Sequence, residues 1–176
     1  MITAVVRVFR EWVDHATYGV AVQLAAVPKD ANVTRATMPT VYDETEESIV
    51  ARGMTIDNAL LPVLCVSTNE TVLDQRTPVV TPAPYDAEVD VLFRYVVRNV
   101  DTQVALAHAS QVQRAVLRCV KQLFTTSTGQ TTLVRNLVQL ISVRAIRTQW
   151  SQPNDDSVVT CAVLVTVQVR DAWATS

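Results

Sequence analysis

Residues 86–124 read as a strand, a corner and a long helix, and this unit limits what the rest of the chain can build. In Glu88–Arg98, Val89, Val91, Phe93, Tyr95 and Val97 alternate with Glu88, Asp90, Arg94 and Arg98. That is the period of a strand with one buried side. Leu92 and Val96 interrupt its polar side. At Asn99-Val100-Asp101 the period changes. From Thr102 onward, Ala105, His108/Ala109, Val112, Ala115/Val116, Cys119/Val120 and Leu123 recur three or four apart, the stripe of an amphipathic helix. Asp101 is placed to cap its first turn, and Arg118 and Lys121 suit the negative end of its dipole. At 1.5 Å per residue, the helix 102–124 spans roughly 35 Å, the width of a small domain. The other elements are expected to pack around it.

Composition narrows the class. The 176 residues suit a single domain, 1–176, with a good core. Apolar residues make up 49% and charged ones only 18%, below the usual quarter. A chain this apolar is expected to bury part of its surface in subunit contacts. Net charge is −2 and the basic residues are scattered, so the electrostatic footprint of a nucleic-acid binder is missing. No apolar run has the length to cross a bilayer, and Arg7, Arg10 and Glu11 interrupt the N-terminus in a way no signal peptide allows. Cys65, Cys119 and Cys161 lie far apart in apolar segments, fitting neither a disulfide framework nor a zinc site. They read as buried free thiols, which places the chain in a reducing compartment such as cytosol.

Around the central unit the chain organises as follows. Ile2, Val5, Val6, Phe9, Trp12 and Val13 predict a helix over 3–15, with Thr3 as a cap. Tyr18-Gly19 punctuates it. Residues 20–27 carry both strand and helix periods; three alanines and the closing Pro28 favour a short helix. Residues 30–58 form an irregular loop region containing the acidic cluster Asp43, Glu44, Glu46 and Glu47. Residues 59–67 read as a strand in which Pro62 marks either an edge or the point where pairing begins. Asn69-Glu70 suggests a turn, and 72–84 is a Pro-rich excursion carrying Pro78, Pro82 and Pro84. Residues 125–130 break the long helix, and a helical turn at 131–136 follows. Residues 138–150, with both faces mixed, and 158–170, the most regular alternation in the chain, make an antiparallel hairpin around a turn at 152–157. The expected fold is α+β: a four-stranded antiparallel or mixed sheet packed with one long central helix and an N-terminal helix.

A search for chemistry returns little. Three glycines leave no phosphate loop or dinucleotide fingerprint, and no Gly-x-Ser-x-Gly elbow occurs. His15 ends a helix and His108 sits beside the apolar stripe; neither has a second ligand at zinc spacing. Asp155-Asp156 lacks the pattern of a calcium loop and reads as a turn. Trp12, Trp150 and Trp173 read as core or interface anchors, since no basic groove accompanies them. Catalytic, cofactor and metal residues are therefore assigned as none.

The order of these elements, with Tyr18–Asp30, Leu60-Leu-Pro-Val-Leu-Cys65, the unit 88–124 and the closing Val167-Gln-Val-Arg-Asp171, resembles the tail terminator, or tail-completion, proteins of tailed bacteriophages. The acidic loop 43–47 and the segment 77–84 are longer than a minimal member needs. The resemblance implies a structural virion protein of the tail and neck, assembled in the host cytoplasm. It implies a homohexameric ring that caps the tail tube and joins it to the neck or head connector. Its partners would be copies of itself, the tail-tube protein and the connector protein. DNA would pass through the lumen without specific binding, and neither a membrane nor a cofactor is involved. Ring contacts between identical subunits reward apolar residues on otherwise polar faces. Leu92, Val96, Val158, Ala162 and Leu164 on the strands and Leu106 on the helix are the candidate interface residues. Asp43, Glu44, Glu46 and Glu47 are candidates to face the lumen, and the Pro-rich segment is a candidate arm. Another neck or head-completion adaptor, or a tail-tube subunit, fits the same texture. From a different class, a small-molecule-binding or enzymatic α+β domain would place its pocket between helix 102–124 and the sheet.

Overall fold

The computed structural model describes residues 2–29, 31–43, 61–73, 86–136, 138–151 and 158–171. In chain order the elements are α1 (Ile2–Val13), α2 (Val20–Ala26), β1 (Thr40–Asp43), β2 (Val63–Leu73) and β3 (Asp86–Arg98). They continue with α3 (Thr102–Thr125), α4 (Ser127–Arg135), β4 (Val138–Ser151) and β5 (Val158–Asp171). The strands form one mixed sheet in the order β1-β2-β3-β5-β4. Only the β1–β2 pair is parallel. The β2–β3, β3–β5 and β4–β5 pairs are antiparallel. The α+β class and the two hairpins flanking a long helix are as expected, but the sheet has five strands rather than four.

The alternation in β3 and β5 sets the core. Val89, Val91, Phe93, Tyr95 and Val97 face the helices, as do Val159, Cys161, Val163, Val165, Val167 and Val169, and all are buried. Each β3 residue lies opposite a β5 residue of the same parity, from Asp86↔Arg170 to Arg98↔Val158, without a slip. Directly opposed residues share a face, so two apolar rows make one continuous floor. Against it pack α3, through Ala105, Ala109, Val112, Ala115, Val116, Cys119, Val120 and Leu123, and α1, through Val5, Val8, Phe9 and Trp12. Phe9 meets Phe93 and Phe124 edge-on, with centroids 5.7 and 6.0 Å away.

Local chemistry explains where the helices begin and end. Asp101 caps α3 as expected: its Oδ1 accepts from the backbone N–H of Gln103 at 2.9 Å and of Val104 at 3.4 Å. At the far end the Thr126 hydroxyl donates to the Gln122 carbonyl and accepts from Gly129 N–H, closing α3 and opening α4 with one side chain. Gly129 is required there, because a Cβ would stand 2.1 Å from the Leu123 carbonyl oxygen. The C-terminus of α2 is closed from a distance. Arg35 donates to the Leu24 and Val27 carbonyls and Arg118 to that of Ala26, cations placed where the helix dipole favours them.

Several expectations are corrected. Residues 40–43 lie in the stretch read as irregular loop, yet β2 recruits them as β1. The helix expected over 3–15 is Ile2–Val13, so Thr3 lies inside it rather than capping it. Pro62 precedes β2 and accepts a hydrogen bond from Thr40 N–H at 3.3 Å. It marks where pairing begins, and β2 lies inside the sheet between β1 and β3. Asn69-Glu70 makes no turn: β2 runs through it, and the β2–β3 register shifts there. The turn expected at 131–136 is the longer helix α4, Ser127–Arg135. Most of the acidic loop and of the Pro-rich excursion, with residues 152–157 and Trp173, falls outside the described residues.

Candidate interaction surface

The sheet face turned away from the helices carries most of the candidate interface residues. Leu92 is opposite Leu164, Arg94 opposite Ala162 and Arg98 opposite Val158 on the two central strands. Leu92, Ala162, Leu164 and Val158 are half-buried, and Val96 is only 7% exposed. Val96 joins Val63 and Cys65 of β2 in a second, small apolar cluster, bordered by Tyr42, Leu61 and Val158. The structure thus brings five of the six strand and helix candidates onto one face. Leu106 lies apart, on α3, packed against the main core.

This face is mixed: Leu92, Val96, Val158, Ala162 and Leu164 form apolar ground among Glu88, Asp90, Arg94, Arg98, Thr160 and Thr166. Thr166 donates to Asp90 at 2.5 Å across β5 and β3. Arg94, between Cys65 on one side and Ala162 on the other, has a buried Nη2 with no hydrogen-bond partner among the described residues. A buried donor without an acceptor costs roughly 1–3 kcal/mol. An arginine ringed by apolar side chains has the make-up of an interface anchor.

A second feature lies at the sheet edge; of its residues the sequence singled out only Trp150, as a core or interface anchor. On β4, Val143, Ile146 and Trp150 are 36%, 42% and 46% exposed. Their β5 neighbours Val167, Val165 and Cys161 are all buried in the core. The parity is that of the helix side, yet these three side chains remain open to solvent. The signal was present as a mixed apolar pattern in 138–150. What it lacked was any sign of an edge position.

The histidines and the polar cleft offer little chemistry. His108 is half-buried, its Nε2 3.1 Å from the Thr34 carbonyl and 3.3 Å from the Thr34 hydroxyl. Beside it Gln111 accepts from Ala36 N–H at 3.1 Å, so the pair straps residues 34–36 onto α3. His15 Nδ1 accepts from the backbone of Thr17 and Tyr18, closing the turn after α1. Its ring lies beside Trp12 and Tyr18. A cleft of about 410 Å³ between α1 and α4 is lined by Glu11, His15, Thr128, Thr131 and Arg135 among others. Glu11 is paired with Arg135 there at 3.2 Å, and the Thr131 hydroxyl donates to the Ser127 carbonyl. Between α3 and the sheet, where the alternative small-molecule or enzyme reading would place a pocket, Ala105, Ala109, Val112, Ala115 and Leu123 are completely buried.

All three cysteines are buried free thiols, as expected. Burial pushes the Cys161 thiol up to about 12. Burial, and then the Asp14 carboxylate, does the same to Cys119. Burial, and then the neighbouring Cys161, raises the Tyr95 hydroxyl. None of these groups is prepared for nucleophilic work at neutral pH. Among the described residues no three His, Cys, Asp or Glu side chains converge to hold a metal ion. No described helix is long and apolar enough to cross a membrane. Of the acidic cluster, Asp43 ends β1, and Glu44, Glu46 and Glu47 fall outside the described residues.

No family model matches the chain, and no curated protein matches it. Among solved structures it is similar to a chain of the virion of a native gene transfer agent particle, with 12% identity and a TM-score of 0.38. The match covers 86% of this chain and 91% of that one.

Proposed function

We propose that this protein is a structural subunit of a phage-like virion: a tail terminator whose copies form a hexameric ring that caps the tail tube and joins it to the neck or head connector. The observation that carries this reading is the second face of the sheet. Leu92 and Leu164 stand side by side on it, Val96 and Val158 extend the apolar ground, and Arg94 holds a buried nitrogen with no acceptor among the described residues. A neighbouring subunit that covers this half-buried apolar ground takes it out of water, which favours assembly. Leu106 on α3 offers a separate contact on the helix side. The chain folds as one domain, and it acts by assembly rather than by catalysis, with no cofactor.

In this arrangement DNA crosses the lumen without being bound. Asp43, Glu44, Glu46 and Glu47 from six copies form an acidic collar that repels phosphate, and the Pro-rich segment reaches a neighbouring ring. The protein is assembled in the host cytoplasm and remains in the virion. The test is electron microscopy of the purified protein, alone and with tail tubes. Six-fold rings, or caps at one tube end, are expected. Particles that never rise above a single chain, with or without tubes, overturn the reading. Rings found within the tube or at the head vertex would assign the chain to the tail-tube or head-completion class instead.

A further inference from the structure

The sheet has two edges of very different length. β1 offers four residues, Thr40–Asp43, and β4 offers fourteen, Val138–Ser151. Among the described residues nothing pairs with the outer side of β4. An unpaired edge presents backbone donors and acceptors in a row, a template for another strand. Natural edges are usually blunted by charge, proline or brevity. This one carries the exposed Arg147 on one face, but on the helix side it exposes Ile146 and Trp150, where their β5 neighbours are core. An extended strand with apolar side chains of its own is the occupant such an edge fits.

We propose that the occupant is β4 of a second copy, paired antiparallel about a two-fold axis at Thr148, so that two five-stranded sheets become one. Edge length favours this. The free edge of matching length is β4 itself, since β1 is too short to cover it. Regularity favours it too. The β4–β5 register slips between Leu140 and Ser142 and again between Val143 and Ala145, but runs unbroken from Ala145 to Ser151. Thr148 is the centre of that regular stretch. Pairing about it sets Ile146 opposite Trp150 of the second copy, twice, which gives two aromatic–β-branched pairs, a favourable cross-strand combination. On the other face it sets Arg147 opposite Gln149, so the two arginines do not face each other directly. Moving the axis to Ile146 or to Trp150 loses these pairs. The contact uses the edge strand, so it does not depend on the ring proposed above, whose strand contacts lie on the opposite face and whose helix contact is Leu106 on α3.

Cross-linking reads the register directly. Opposed residues in an antiparallel pair have Cβ atoms about 4.5–5.5 Å apart, within reach of a disulfide after small adjustment, and diagonal neighbours lie at roughly 7–8 Å, out of reach. The native cysteines are buried and give little background. Under mild oxidation T148C should form a covalent dimer at twice the 19.4 kDa chain mass. W150C alone should form little, and I146C mixed with W150C should link. In sedimentation velocity over a concentration series, the protein carrying L92D and L164D, in which the ring contact is removed, should associate as a dimer. I146E should remove that dimer while its far-ultraviolet dichroism and melting remain native. Cross-linking of T148C no better than that of W150C overturns the proposal. So does association of the ring-deficient protein that I146E leaves intact, or a ring-deficient protein that stays a single chain throughout.

Discussion

Trp12 and Cys119 exchange hydrogen bonds between α1 and α3. The indole Nε1 donates to the Cys119 carbonyl at 2.8 Å, and the Cys119 thiol donates to the Trp12 carbonyl at 3.7 Å. Both residues are 1% exposed. The two helices are therefore joined by directional bonds as well as by apolar contact, at positions 107 residues apart.

Trp12→Phe keeps most of the ring and deletes the indole donor, removing a second bond to a carbonyl that also serves helix α3. A loss of roughly 0.5–1.5 kcal/mol in urea unfolding is expected from the bond. A double-mutant cycle with Cys119→Ala should be close to additive, because each side chain bonds the other residue's backbone carbonyl, which both substitutions retain. Strong coupling would mean that either change shifts α1 against α3.

Cys119 and Cys161 should resist thiol reagents in the native protein and react at the rate of unfolding. The sign of their effect on stability follows from their direction of shift. Both titrate near 9 when unfolded and near 12 when folded. Between those values the folded chain keeps protons that the unfolded chain releases, so their contribution is complete below pH 9 and lost as pH climbs towards 12. Denaturant midpoints should fall over that window, and replacing both thiols by Ala should flatten the fall.

Asp101→Ala removes the acceptor for two N–H groups at the start of α3, at an expected cost of about 1 kcal/mol. Asp101→Asn keeps an acceptor and should cost much less. Equal losses for the two would assign the effect to charge rather than to capping.

Gly129→Ala drives a methyl group into the backbone at Leu123, which cannot step aside as a side chain could. Overpacking of roughly 1–3 kcal/mol is expected, with amide exchange rising in α4 before the rest of the chain. Uniform loss of protection would show that α4 and the core open as one unit.

Leu92→Asp and Leu164→Asp place charge on the half-buried sheet face without touching the main core. If that face is the ring contact, either change should abolish rings seen by electron microscopy and leave melting close to native. Rings that survive both substitutions would move the contact elsewhere.

How much of this was legible depends on where each residue's partner lies. Strands β3 and β5 announced themselves, because alternating Val, Phe and Tyr against charged residues needs no knowledge of the neighbour. The stripe of α3, its Asp101 cap and the burial of three isolated cysteines followed in the same local way. Their period and chemistry repeat within a few residues, and solvent exclusion acts on that period whatever the fold.

The tertiary structure decided the rest. Thr40–Asp43 is too short for any period, and it is a strand only because β2 lies alongside to pair with it. Asn69-Glu70 looks like a turn and is carried through as strand by the ladder to β3. His108 and Gln111 find their partners on a loop more than seventy residues back. Ile146 and Trp150 have the composition of core residues and are exposed because their strand is last in the sheet. Hydrogen-bonded pairing and layer coverage are relations between distant segments, so the chain's local pattern specifies which groups seek burial, and topology alone assigns what covers them.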